Sequence, residues 1–247
     1  MDSSEFQFQF IHLNSVDSSN IYALELLDHK KTLNGVIVTT KFQERGKGQL
    51  GQSWESEYGK NLLFSIIVEP KVKLEDQFKI SQLVSISLKE WLDTLTVGEV
   101  QIKWPNDILV GSKKAAGVLI ENSIQGREIS NSIIGIGLNV NQKEFSPFPR
   151  PATSLLREKN QEYDLVVLLK DFLNLFWDNF QAFKIQSVNL NDRYLSSLYG
   201  YGKPLRLSDK NGEFLGVIIG VLPNGKLQVN RNGKLKSYDL KELKFLD

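Results

Sequence analysis

Two stretches of the chain carry residues suited to one kind of chemistry. Lys103-Trp-Pro-Asn-Asp107 runs at once into a hairpin ending Lys114-Ala-Ala-Gly117, and upstream lies a glycine loop, Gly46-Lys-Gly-Gln-Leu-Gly-Gln-Ser-Trp54. A phosphate and a carboxylate repel one another, and ammonium groups with backbone N–H donors are what screens such a pair while they are brought together. The glycines let backbone amides close around an anion, and the entropy lost on ordering such a loop predicts mobility until a ligand arrives. The small residues after Lys114 let a ligand approach the strand closely. Each part also has a plain reading. Pro105-Asn-Asp107 fits an Asx-type turn, Lys114 an ordinary edge lysine beside Lys113, and the loop a surface connection anchored by Trp54.

Other chemistries fit less well. Gly46-Lys-Gly-Gln-Leu-Gly51 matches the dinucleotide fingerprint G-x-G-x-x-G literally, but that fingerprint must open a helix, and Gln52 to Gly59 shows no apolar helical face. No G-x-x-x-x-G-K-[ST] occurs, so ATP is not expected on a P-loop. The two histidines, His12 and His29, lie far in sequence from these motifs, and Ser18 has no evident histidine partner, which speaks against a serine hydrolase.

The elements that must position these residues read as α+β. Asp17-Ser-Ser-Asn20 offers N-cap oxygens before Ile21, Leu24 and Leu27, predicting a short helix. Gly35–Thr40 and Asn61–Val68 are strand-like runs on either side of the glycine loop. Val84, Leu88, Trp91, Leu92 and Leu95 mark a helix within 76–95. Strands are predicted at 100–104, 108–110, 116–121 and 132–140, with Gly111-Ser112-Lys113 at a hairpin tip, and a second long helix follows the repeat from Leu165 to Phe183. From about Leu198 the chain turns to short strands punctuated by Asn211-Gly212, Asn224-Gly225 and Asn232-Gly233, which predicts a small closed barrel. Helices are grouped rather than alternating with strands, so a mixed sheet covered by helices is favoured over a doubly wound fold. The domains expected are 1–197 and 198–247.

A chain of 247 residues can bury a sizeable core, and 30 basic against 29 acidic side chains leave a net charge of +1. No global field draws polyanions, so nucleic acid is not an expected partner. The chain has no cysteine, which removes disulfides, thiolate metal sites and thiol nucleophiles and fits a reducing compartment. No apolar run approaches the ~18 residues of a membrane span and the start is not signal-like, so the expected location is cytoplasmic, without membrane association.

Taken together, the strings resemble the biotin protein ligase family. The join of KWPNDI to KxAGVLIE with its spacing is the specific part, and the resemblance extends through Asp17-Ser-Ser-Asn20 and Gly135-Ile-Gly-Leu-Asn-Val-Asn141, from about residue 10 to the end. It implies a class II synthetase-like catalytic domain followed by an SH3-like β-barrel. The implied activity is ATP-dependent activation of biotin as biotinyl-5′-AMP and transfer to a lysine of a biotin carboxyl carrier domain, with Mg²⁺ brought by ATP. By resemblance, Lys114 and Lys103 are catalytic. Ser18, Ser19, Asn20, Gln43, Gly46, Lys47, Gly48, Gln49, Lys114 and Gly117 bind biotin. Lys47, Gln49, Trp54, Asn106, Asp107 and Asn139 lie on the adenylate side, with Asp107 a candidate for the metal. The family's loop pattern is close to GRGRxGRxW, whereas Lys47, Gln49 and Gln52 stand at those arginine positions here. One point charge and two amides replace three forked cations, so this loop is expected to retain the intermediate less tightly.

Many relatives carry an N-terminal helix-turn-helix domain. Only 16 residues precede Asp17, so a ligase without DNA-binding function is expected. The rival readings are a lipoate-type ligase and a non-catalytic biotin or adenylate sensor; an octanoyltransferase is closed by the lack of cysteine. A homodimer stays open.

Overall fold

The computed structural model describes residues 8–29, 33–96, 98–147, 150–185 and 189–246. In chain order the first elements are β1 (Gln9–Leu13), α1 (Ser19–His29), β2 (Val36–Thr40), β3 (Leu62–Val68), β4 (Val72–Lys73), α2 (Phe78–Leu95), β5 (Val100–Lys103) and β6 (Asp107–Val110). Then come β7 (Lys113–Gln125), β8 (Glu128–Leu138), α3 (Leu155–Lys159), α4 (Leu165–Lys184) and α5 (Leu190–Ser196). The chain ends with β9 (Pro204–Asp209), β10 (Gly212–Val221), β11 (Leu227–Arg231), β12 (Lys234–Tyr238) and β13 (Lys244–Phe245). The fold is mixed α+β, with a mixed sheet flanked by helices. Two compact units each combine two chain segments: Met1–Val72 with Ala115–Leu169, and Lys73–Lys114 with Lys170–Asp247.

In the first unit the strands run in the order β1, β2, β3, β8, β7. β1 is parallel to β2 and the remaining pairs are antiparallel. β3 is buried along its whole length, which explains why Leu62 to Val68 reads as a continuous apolar run rather than an alternation. Ala23 of α1 packs with Leu33, Val36, Val38, Ile67 and Ile133, and Ile11 and Leu13 of β1 join from the edge. The strand β1 is not among the predicted elements; it is an edge strand, so only Ile11 and Leu13 face the core and the apolar signal is short.

In the second unit α2 packs on β5, β6 and α5. Its aromatic core is a ladder from Trp91 through Phe172 and Phe176 to Phe180, with centroids 5.4 to 6.0 Å apart. These are the residues whose three- and four-residue repeat predicts α4. After α5, Ser197 to Tyr199 pair with β5: Ile102 N–H donates to Ser197 O and Tyr199 N–H to Ile102 O, each at 2.8 Å. The chain then forms a five-stranded antiparallel sheet in the order β12, β11, β10, β9, β13. The Asn-Gly turns behave as predicted; at Asn232 and Gly233 φ is +51° and +80°, the pair of positive values that a tight hairpin needs. The sheet is open rather than the closed barrel expected. β13 has two residues and pairs with β9, while β12 keeps an exposed edge carrying Lys234 and Lys236. Among the described residues no helix is long and apolar enough to cross a membrane.

Candidate active site

The KWPND segment leaves β5 at Lys103, turns through a cis Trp104–Pro105 peptide, and re-enters the ladder at Asp107, which pairs with Lys103 in register. The turn is held from two sides. The Trp104 indole is buried and its Nε1–H donates to the Gly225 carbonyl at 2.9 Å. The Tyr194 hydroxyl donates to the Pro105 carbonyl at 2.9 Å, and burial pushes the Tyr194 phenol well above its ordinary value, so it stays a neutral donor. Gly225 has φ +89°, and a Cβ there would sit 2.7 Å from the Phe78 ring, so only glycine allows this approach.

Past the hairpin tip, where Gly111 takes φ +59°, Lys114 returns to face Asp107 with Nζ 2.7 Å from Oδ1. The two side chains are 32% and 27% exposed, and a pair that wet contributes on the order of 0–1 kcal/mol, so its consequence is placement rather than stability. Lys103 has its ammonium 4.8 Å from the centre of the Phe245 ring. Residues directly opposite in an antiparallel pair share a face, so Lys103, Asp107 and the Lys114 ammonium form one charge cluster. Within this turn Asn106 is buried and Asp107 is engaged by Lys114. The packing of Trp104 and Pro105 draws the turn inward.

In the first unit Ser18, Ser19 and Asn20 open α1 and are all buried. Gln43 Oε1 accepts the Ser19 N–H at 2.8 Å, so the first turn of α1 is satisfied by a residue from another loop. Ser65, fully buried in β3, has its Oγ 2.7 Å from Ser19 Oγ and 2.6 Å from Asn20 Oδ1. A hydroxyl has one proton, so Ser65 donates to the Asn20 carbonyl and accepts from the Ser19 hydroxyl. The Asn20 amide donates to Glu121 Oε2 at 2.8 Å and to Leu119 O at 3.3 Å. Five side chains thus form one polar network on the apolar sheet.

That network meets a bare strip of sheet. Gly135 and Gly137 of β8 lie on one face with Ser65, and Gly117 of β7 pairs with Gly137. A Cβ on Gly135 would fall 2.2 Å from Asn20 Oδ1, and one on Gly137 would fall 2.4 Å from the Trp54 indole. Both neighbours therefore need glycine. The loop from Gly46 closes on itself: Gly48 N–H donates to Gln52 O, Gln52 N–H to Gln49 O and Trp54 N–H to Gly46 O. Gln49–Gly51 makes a single 3-10 turn, and the chain then passes through a turn at residues 58–60 into β3, not into the helix a dinucleotide site requires. These three amides bond within the loop. Lys47 is exposed, with its backbone bridged to Ser53.

Residues 13–139 match the biotin/lipoate A/B protein ligase family. The chain belongs to this family. Among its relatives, the bifunctional ligase/repressor BirA of Bacillus subtilis is 26% identical over 94% of this chain and 73% of its own length. The biotin–[acetyl-CoA-carboxylase] ligase of Paracoccus denitrificans is 24% identical over 87% of this chain and 91% of its own. Among solved structures, the biotin protein ligase of Aquifex aeolicus in complex with biotin and ATP superposes with a TM-score of 0.76 at 26% identity, covering 96% of this chain and 99% of that one.

Within the family assignment, the residues singled out from sequence fall into two groups. Ser18, Ser19, Asn20, Gln43, Gly46, Trp54 and Gly117 gather with Gly135 and Gly137 in the first unit; Lys103, Asn106, Asp107 and Lys114 gather in the second. Asn139, two residues past Gly137, is buried and its side chain donates to Thr153 O at 3.0 Å, holding the segment that leads to α3. Sequence reasoning missed Ser65 and Phe245, and it gave no site role to Glu121, the end of the KxAGVLIE string, or to Gly225 of an Asn-Gly turn. A serine inside Leu62–Val68 or a phenylalanine two residues from the C-terminus gives no local signal; only the pairing of distant strands reveals them.

Proposed function

We propose that this chain is an ATP-dependent biotin protein ligase that forms biotinyl-5′-AMP and transfers the biotinyl group to a lysine of a biotin carboxyl carrier domain. The observation that carries the reading is the cluster of Lys103, Asp107 and Lys114 on three consecutive strands. Adenylation needs no enzyme nucleophile: a carboxylate oxygen of biotin attacks the α-phosphorus of ATP, the bond to the bridging oxygen breaks and pyrophosphate leaves. The barrier lies in two anions meeting and in charge growing on the phosphoryl oxygens, which ammonium groups stabilise. We assign that work to Lys114 and Lys103. In the second half-reaction the carrier amine attacks the acyl carbon, loses a proton, and AMP departs.

Biotin is favoured over lipoate by the network of Ser19, Asn20, Ser65 and Gln43. A ureido ring offers two N–H donors and a carbonyl acceptor that can exchange bonds with such a surface, whereas a dithiolane offers it no donor and no strong acceptor. We assign Ser18, Ser19, Asn20, Gln43, Gly117 and the loop Gly46–Gln49 to biotin, and Lys47, Gln49, Trp54, Asn106, Asp107 and Asn139 to the adenylate. Mg²⁺ takes few protein oxygens when most of its ligands are phosphates and water, and the Asp107 carboxylate fits that demand; when bound, the ion screens phosphate charge. We read 198–247 as an SH3-like domain after a 1–197 catalytic domain, supported by five strands joined at tight turns. The absence of cysteine supports a cytoplasmic setting.

Purified protein, Mg-ATP, biotin and a carrier domain provide the test. Biotin-dependent exchange of pyrophosphate into ATP and avidin-detectable labelling of the carrier lysine are expected. Faster exchange with lipoate, or none with biotin, would overturn the reading.

A further inference from the structure

The C-terminal strands contribute a ring to the charge cluster. Phe245 is fixed by its pairing with Leu207 of β9, by the Leu246 N–H donating to Arg206 O at 3.0 Å, and by the Tyr199 ring at 6.5 Å. Its face meets the Lys103 ammonium at 4.8 Å, within the range where a ring quadrupole attracts a cation. Lys103 is the last residue of β5, its long stem has many rotamers, and the Asp107 carboxylate opposite it also meets Lys114. An aromatic face attracts an ammonium without drawing on that carboxylate. The same sheet also grips the next residue, because the β10–β11 turn accepts the Trp104 indole N–H at Gly225.

We propose that Phe245 is a positioning residue for adenylation, holding Lys103 where it acts on the phosphoryl group. This rests on the ligase reading above. Phe245→Leu removes the ring and keeps apolar bulk; Phe245→Trp keeps a π face. In Phe245→Leu the kcat of biotin-dependent pyrophosphate exchange is expected to fall roughly 3- to 30-fold, the span of one cation–π contact. The KM for biotin, the melting temperature and transfer from pre-formed biotinyl-AMP to the carrier should be unchanged, and Phe245→Trp should restore most of the exchange. In solution the Lys103 ε-methylene protons should show a ring-current upfield shift that vanishes in Phe245→Leu. Wild-type exchange in Phe245→Leu overturns the proposal, as does an equal loss in both half-reactions that tracks the melting temperature. Absence of exchange in the unaltered chain fails the ligase reading itself, whatever the methylene shifts show.

Discussion

Lys114 shows how far a single side chain can be read. Its candidacy comes from its place after the KWPND hairpin and before Ala115, and the structure adds its carboxylate partner, Asp107, at 2.7 Å. Because that pair is partly exposed it contributes little to folding, so Lys114→Ala should leave the melting temperature within a few degrees of wild type. Biotin-dependent pyrophosphate exchange should fall by about two to four orders of magnitude, as expected for loss of a group that stabilises charge in the transition state. Near-normal exchange in the variant would remove Lys114 from the mechanism. Ser65 is the contrasting case: its neighbours in sequence are apolar strand residues, and its two partners lie 45 and 46 positions away. Nothing local distinguishes it from a serine that merely tolerates burial.

Among the elements, the strands that carry function are those whose composition looks weakest. Gly135 and Gly137 would cost β8 stability if side-chain packing were the only concern, but Asn20 and Trp54 occupy the space their side chains would take. The C-terminal sheet has its own electrostatic lock. Asp209 ends β9 with only 2% of its side chain exposed and meets Lys236 at 2.8 Å, Arg231 at 3.6 Å and the Tyr238 hydroxyl at 3.1 Å. The hydrogen bond from Lys236, followed by the Asn211 N–H, draws its carboxyl from 3.8 down to about 2. A carboxyl that binds its proton less readily folded than unfolded stabilises the native state above the unfolded value and loses that contribution as pH falls through the folded one. Asp209→Asn should therefore melt earlier than wild type near neutral pH, and the gap should close as pH is lowered from about 4 to about 2. A gap that widens in acid would contradict the assignment. The short helices α3 and α5 carried no comparable sequence signal, since each has too few turns to display a periodic face; α3 is specified instead by Ser154 accepting the Arg157 N–H.

At the scale of the whole molecule, the composition change near residue 198 and the compact units do not coincide. The chain passes between units after Val72, Lys114 and Leu169, and the second unit holds both the KWPND hairpin and the C-terminal strands. A fragment ending at residue 197 would lose the Gly225 carbonyl that accepts from Trp104, the Phe245 ring over Lys103, and the Tyr199 N–H that donates to Ile102. Each buried polar group so orphaned costs about 1–3 kcal/mol, a large share of ordinary domain stability. The fragment should show no cooperative melting of the second unit by calorimetry and no biotin-dependent exchange. A stable, active fragment would mean that the C-terminal strands are dispensable.

The sequence by itself determined the elements with long periodic or apolar runs, the Asn-Gly turns, and the lysines and glycine loop of the family pattern, because each is written in residues close to one another along the chain. Only the tertiary structure decided that Asp107 is engaged by Lys114, that the loop amides bond to the loop itself, that Ser65 ties Ser19 to Asn20, and that the last strand brings Phe245 over Lys103. Those outcomes depend on which strands pair and in what register. A contact across 142 residues leaves no trace in the spacing of either partner.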